Sequence, residues 1–65
     1  MKYNFTAKRH RLENGRVAWI MESELKGCVA QAYTLDDAIR ELEINENEWV
    51  ETATKYGIPV PDESI

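Results

Sequence analysis

Glu24-Leu25-Lys26-Gly27-Cys28-Val29-Ala30-Gln31-Ala32-Tyr33-Thr34-Leu35-Asp36-Asp37-Ala38 passes from a turn through a short strand into a helix without a spare residue. Gly27 can take the positive φ that a turn before a strand often needs. Cys28 to Ala32 then alternates small residues (Cys28, Ala30, Ala32) with larger ones (Val29, Gln31), the period of a strand. The small face lets a helix lie close to it. Thr34 reads as the helix N-cap, with Asp36 and Asp37 in the first turn, where the helix dipole favours negative charge. A strand therefore hands directly to a helix, and the rest of the chain pairs with that strand or extends that helix.

Upstream, Lys2 to Arg9 places Tyr3, Phe5 and Ala7 on one face and Lys2, Asn4, Thr6 and Lys8 on the other, as in a half-buried strand. Leu12-Glu13-Asn14-Gly15 contains Asn-Gly, the preferred pair of a type I′ hairpin turn, so Arg16 to Glu22 is expected to return antiparallel. That second strand is apolar on both faces. Val17, Trp19 and Met21 point one way, Ala18 and Ile20 the other, so one row needs a cover beyond a single helix. A second subunit is the simplest cover, and Val17, Trp19 and Met21 are the expected oligomer interface.

Downstream, Leu35, Ala38, Ile39, Leu42, Trp49, Val50, Ala53 and Tyr56 recur at helical spacing until Gly57 and Pro59 stop the helix. A helix of that length spans about 33 Å and a six- or seven-residue strand about 20 Å, so part of it should overhang the sheet. Glu46 falls in the apolar stripe and is expected at the sheet's rim beside a base such as Lys8, Arg9 or Arg16. Ile44 falls on the opposite, acidic side. The tail Ile58 to Pro61 should be extended, because residues before proline are biased that way.

The composition narrows the function classes. A chain of 65 residues makes one small domain that buries only about 60% of the surface its unfolded chain exposes, so self-association as a homodimer or higher homo-oligomer is expected. One cysteine excludes an internal disulfide and suits a reducing, cytoplasmic setting; Cys28 reads as a small core residue. No apolar run is long enough for a membrane span or signal core.

Charge is segregated within a net of −4: Lys2, Lys8, Arg9, Arg11 and Arg16 carry five of the eight basic residues. Between Asp36 and Glu51, Asp36, Asp37, Glu41, Glu43, Glu46, Glu48 and Glu51 face Arg40 alone. That helix repels phosphate backbones and favours a basic partner, although a solvated face also accounts for it. His10 has no nucleophile or acid forced near it by spacing, so catalysis by it is not expected. Asp37 and Glu41, at i and i+4, lack a third ligand for a divalent ion. No catalytic, cofactor or metal site is therefore assigned, and no nucleic-acid binding is expected of this chain alone.

Leu25, Gly27-Cys28, Gln31 and Thr34-Leu35, followed by acids and Ala38, then Trp49 and Gly57-Ile58-Pro59-Val60-Pro61, together resemble the HicB-like antitoxins of HicA/HicB toxin–antitoxin pairs. Lys26 stands where that family usually has Pro, and Ala32 where it usually has Gly. The resemblance implies a HicB N-terminal-type α+β domain with a partial ribonuclease-H-like sheet and a HicA-like, mRNA-cleaving toxin as partner. Full-length relatives usually add a DNA-binding module, for which residues 1–65 leave no room.

The expected fold is α+β: a three-stranded antiparallel sheet with one long helix packed on it, β-β-β-α, with a short C-terminal strand as an option. The expected function is an antitoxin-type binding protein, not an enzyme, that neutralises the toxin by direct contact. The acidic helix and the tail are the features that complement a basic ribonuclease, so Glu41, Ile44, Glu48, Ile58 and Val60 are the candidate partner-binding residues. The alternative is a self-assembling domain without a toxin partner.

Overall fold

The structure, a computed structural model, describes residues 2–63. Three strands, β1 (Phe5–Arg11), β2 (Val17–Ser23) and β3 (Val29–Ala32), form an antiparallel sheet in that order, followed by one helix, α1 (Leu35–Lys55). The expected α+β architecture is observed. Among the described residues no strand follows α1, and the tail runs on without regular structure.

The first hairpin differs from the expected turn. Gly15 N–H donates to Leu12 O (2.9 Å) and Leu12 N–H to Arg16 O (2.7 Å), which leaves a three-residue loop rather than two. Only Gly15 has a positive φ, at 85°, whereas a type I′ turn would need Asn14 there too. This is a type I turn closed by a left-handed glycine, and the Asn14 side chain steadies it by accepting from Arg16 N–H (2.9 Å). The register that results pairs Phe5 with Ser23 and Arg11 with Val17. Consequently β1 runs to Arg11 and starts at Phe5, not Lys2. Tyr3 precedes it and is buried nonetheless.

The second turn follows the sequence closely. Ser23 N–H bonds Cys28 O (2.9 Å), Cys28 N–H bonds Leu25 O (3.0 Å), and Gly27 sits at φ 81° with Lys26 at negative φ, the pattern of a type II turn. Lys26 thus occupies the position where proline is common but not required. Thr34 caps α1, its hydroxyl accepting from Asp37 N–H (3.2 Å) and its carbonyl from Ala38 N–H (3.0 Å).

α1 lies across β2 and β3 and not over β1. Cys28 and Ala30, the small face of the third strand, are buried beneath it with Met21, Leu25, Ala38 and Leu42, and Trp19, Ala32, Ile39, Trp49 and Val50 pack around them. Small side chains on β3 allow this close approach, and Met21, Leu25 and Leu42 fill the space with no residual exposure. Removing a side chain such as Leu42 from a site like this costs about 2–5 kcal/mol.

The row Val17, Trp19, Met21 therefore faces the helix of its own chain. Met21 is fully buried and Trp19 half-buried in this core, so the assignment of that row to an oligomer interface is corrected. Strand alternation puts one row of β2 under α1, and the pairing of Met21 with Ala30 and of Trp19 with Ala32 puts this row on the same face as the small residues that α1 covers. Val17, at the end beyond the helix cover, stays exposed. Tyr56, expected in the apolar stripe, is also exposed, because it is the C-cap where the chain leaves the helix.

Glu46 is only 4% exposed, as its place in the stripe implies, but its partner is not a base. Its Oε2 accepts from the Ser23 hydroxyl at 2.6 Å, and Ser23 Oγ in turn accepts from Leu25 N–H at 3.1 Å. Lys8, Arg9 and Arg16 belong to the part of the sheet that α1 does not reach. The relay Leu25 N–H to Ser23 to Glu46 ties the second turn to the middle of the helix.

Candidate partner-binding site

Glu41, Ile44, Asn45, Glu48 and Thr52 recur every three or four residues and so lie along one side of α1. Two side chains from this part of the helix fasten it to the neighbouring strand and turn. Asn45 Nδ2 donates to Val29 O at 2.9 Å and Trp49 Nε1 to Lys26 O at 3.0 Å. Ser23 and Cys28 form a hydrogen-bonded pair, so the backbone groups of Val29 point away from β2. Asn45 thereby caps a carbonyl on the outer edge of the sheet.

Between this side of the helix and β3 lies an open groove of about 420 Å³, lined by Gly27, Cys28, Val29, Asn45, Glu48, Trp49, Thr52, Ala53 and Ile58. Ile58 reaches it because of how the helix ends. Gly57 takes φ 69°, its N–H bonds Thr54 O (3.3 Å), and Ile58 N–H bonds Ala53 O (2.8 Å), which is a Schellman motif. The motif folds Ile58 back beside Ala53. Ile58 is about half exposed at the groove, and Glu48 stands beside it with no ion pair among the described residues.

Of the residues expected to bind a partner, Glu48 and Ile58 share this groove. Glu41 and Ile44 continue the same helical side toward its N-terminus, both exposed. Val60 is half-buried and does not line the groove, because the tail has turned by then toward the N-terminal segment. There Tyr3 donates its hydroxyl to Pro61 O at 3.2 Å and Lys2 approaches Glu63 at 3.7 Å. Trp49 was placed in the apolar stripe of the helix, but neither it nor Asn45 was among the expected partner-binding residues. The signal was present in Trp49, whose ring N–H needs an acceptor when the ring packs on a core.

The titratable groups add little chemistry. Burial, with a smaller push from the Glu46 carboxylate, holds the Cys28 thiol above its ordinary range, so the residue is a packed thiol and not an activated nucleophile. Burial likewise raises the Tyr3 phenol, with Glu63, Glu46, Glu24 and Asp62 adding to the effect. Asp37 is engaged by Arg40 at 3.1 Å, an exposed pair one helical turn from Glu41. His10 lies exposed on β1, paired across the sheet with Ala18. Among the described residues no group of three or more His, Cys, Asp or Glu side chains is placed to hold a metal ion, and no helix is long and apolar enough to cross a membrane.

Compared with protein-family models, with curated proteins and with solved structures, the chain matches none.

Proposed function

We propose that this chain is an antitoxin-type binding protein, with a HicA-like, mRNA-cleaving toxin as the partner and the acidic side of α1 with its adjoining groove as the contact surface. The observation that carries the reading is the meeting of Glu48 with Ile58 and Trp49 in one groove. A carboxylate beside exposed apolar side chains suits the long side chains of a basic protein, whose stems need apolar surface and whose heads need an anion. Glu41 and Ile44 extend the surface along the helix. The HicB-like order of motifs from Leu25 to Pro61 supports the choice of partner.

The domain acts by binding alone, without catalysis and without reading DNA. Exposed acids speed encounter with a cationic surface, and since screening is felt over about 8 Å at physiological salt, apolar contacts at Ile58 set the lifetime of the complex. Co-expression with a HicA-type toxin tests the proposal: the wild-type chain should restore growth, and Glu41→Lys/Glu48→Lys and Ile58→Asp should each weaken rescue. Point variants are preferable to a chain ending at Gly57, since that truncation also removes the Ile58 and Pro61 hydrogen bonds. Full rescue by both variants, each folded and expressed, would reject this surface.

A second reading, self-assembly without a toxin, draws on the sheet face turned away from α1. Ile20, Val29 and Tyr33 are partly or largely exposed there, and Arg16 stacks on the Tyr33 ring at 3.6 Å. Light scattering at micromolar concentration separates the readings, because self-assembly through this face requires a dimer or larger species before any partner is added.

A further inference from the structure

Among the described residues, β1 is bonded to β2 along one edge and to no strand along the other. The residues whose backbone groups face outward follow from the two ends of the hairpin. Leu12 N–H bonds Arg16 O and Glu24 N–H bonds Asn4 O, so the even-numbered residues of β1 bond inward, and Phe5, Ala7, Arg9 and Arg11 present N–H and C=O groups to solvent. α1 covers neither face of this strand, and every residue from Thr6 to Arg11 is exposed. The opposite edge of the sheet is different. β3 is four residues long, and Asn45 caps its Val29 carbonyl.

The open edge is also the basic part of an acidic protein. Lys8 and His10 project from one face of β1 and Arg9 and Arg11 from the other. None of Lys8, Arg9 or Arg11 forms an ion pair among the described residues. Arg9 leans over the Trp19 ring at 5.9 Å and Arg11 donates once, to Gly15 O at 3.2 Å, which leaves most guanidinium donors unused. Full antiparallel pairing with β1 of a second copy would set Lys8 against Lys8 and bring together the cations of two strands that carry no acid, an arrangement that is destabilising and that edge strands use to avoid self-pairing. An acidic strand meets the opposite situation.

We propose that the outer edge of β1 takes up an acidic, extended peptide segment as a fourth antiparallel strand. Backbone hydrogen bonds would run to Phe5, Ala7, Arg9 and Arg11, and carboxylates on alternate residues would meet Arg9 and Arg11 on one face or Lys8 on the other. The surface is separate from the groove at Glu48 and does not depend on what occupies it.

The probe is a capped octapeptide alternating Glu and Val, added to the full chain at millimolar concentration, with amide hydrogen exchange followed by NMR. Exchange at Ala7, Arg9 and Arg11 should slow at least tenfold, while Thr6, Lys8 and His10, already bonded to β2, change little. A peptide with Lys in place of Glu should not protect. Arg9→Glu/Arg11→Glu should reverse that preference without altering the fold, and Ala7→Pro, which removes one outward N–H and no bond to β2, should weaken uptake of the acidic peptide. Unchanged exchange at the outward amides, equal protection by the Lys peptide, or tighter binding of an RNA octamer than of the acidic peptide would each overturn the proposal. So would concentration-dependent protection of the same amides without peptide, which would identify a second copy as the occupant.

Discussion

Ser23→Ala removes a hydroxyl that serves two buried groups at once. The Glu46 carboxylate, 4% exposed, loses its 2.6 Å donor, and Leu25 N–H loses its 3.1 Å acceptor, at a position where Ser23 itself is only 6% exposed. A hydrogen bond to a charged group contributes about 1.5–3 kcal/mol, and a buried donor left unsatisfied costs about 1–3 kcal/mol. A net loss of about 3 kcal/mol is therefore expected, a large share of the roughly 3–10 kcal/mol that a domain of this size commands. It corresponds to a fall in Tm of about 10–25 °C. Urea titration followed by tryptophan fluorescence measures it directly, since Trp19 and Trp49 both pack on the core. Glu46→Leu on its own leaves the Ser23 hydroxyl without its acceptor, whereas Ser23→Ala/Glu46→Leu replaces both partners by apolar groups. The double variant should be more stable than Ser23→Ala, with a coupling of about 2 kcal/mol between the two changes. A loss below about 0.5 kcal/mol for Ser23→Ala, or strict additivity in the cycle, would refute the relay as the tie between turn and helix.

Three further outcomes follow from single residues. Gly27→Ala places a Cβ in open space but at φ 81°, so its cost, about 1 kcal/mol by urea titration, is conformational and not steric; a neutral change would contradict the type II turn. Trp19→Asp should abolish folding because it puts a charge into the helix-covered core, whereas Val17→Asp, at an exposed position, should leave the circular dichroism spectrum unchanged. Cys28 and Tyr3 both hold their protons more tightly when folded than their ordinary values of 9.0 and 10.0. Their contribution to stability is thus fully present below pH 9 and lost as pH rises through the raised values, so the urea midpoint should fall on the alkaline side. Cys28→Ala should reduce that alkaline loss.

The fold was legible wherever local chemistry and pattern agreed. Gly27, the small residues Cys28, Ala30 and Ala32, and the Thr34 cap specify turn, strand and helix start within a dozen residues, and each behaves in the structure as its chemistry demands. The misjudged features depend on distances that local pattern does not encode. Asn14-Gly15 suits both a two-residue and a three-residue hairpin loop, and only the pairing of Leu12 with Arg16 decides between them. β2 is apolar on both faces, so its sequence could not say which row meets the helix. Glu46 was recognised as a carboxylate in an apolar stripe, but its partner Ser23 lies 23 positions away on another element. For the candidate site, Glu48 and Ile58 were visible as an acid and an exposed apolar residue. Their meeting depends on the helix-ending motif at Gly57, and Val60, two residues on, is carried elsewhere by the same reversal of the chain.

The most direct test of the proposed binding surface is surface plasmon resonance of an inactivated HicA-type toxin against the immobilised chain over a salt series. The wild-type chain should bind, Glu41→Lys/Glu48→Lys should lower the association rate at least tenfold at low salt and less at high salt, and Ile58→Asp should act mainly on the dissociation rate. Absence of binding by the wild-type chain, or rate constants for both folded variants indistinguishable from wild type, would contradict the assignment of this groove and the acidic side of α1 as the partner-binding surface.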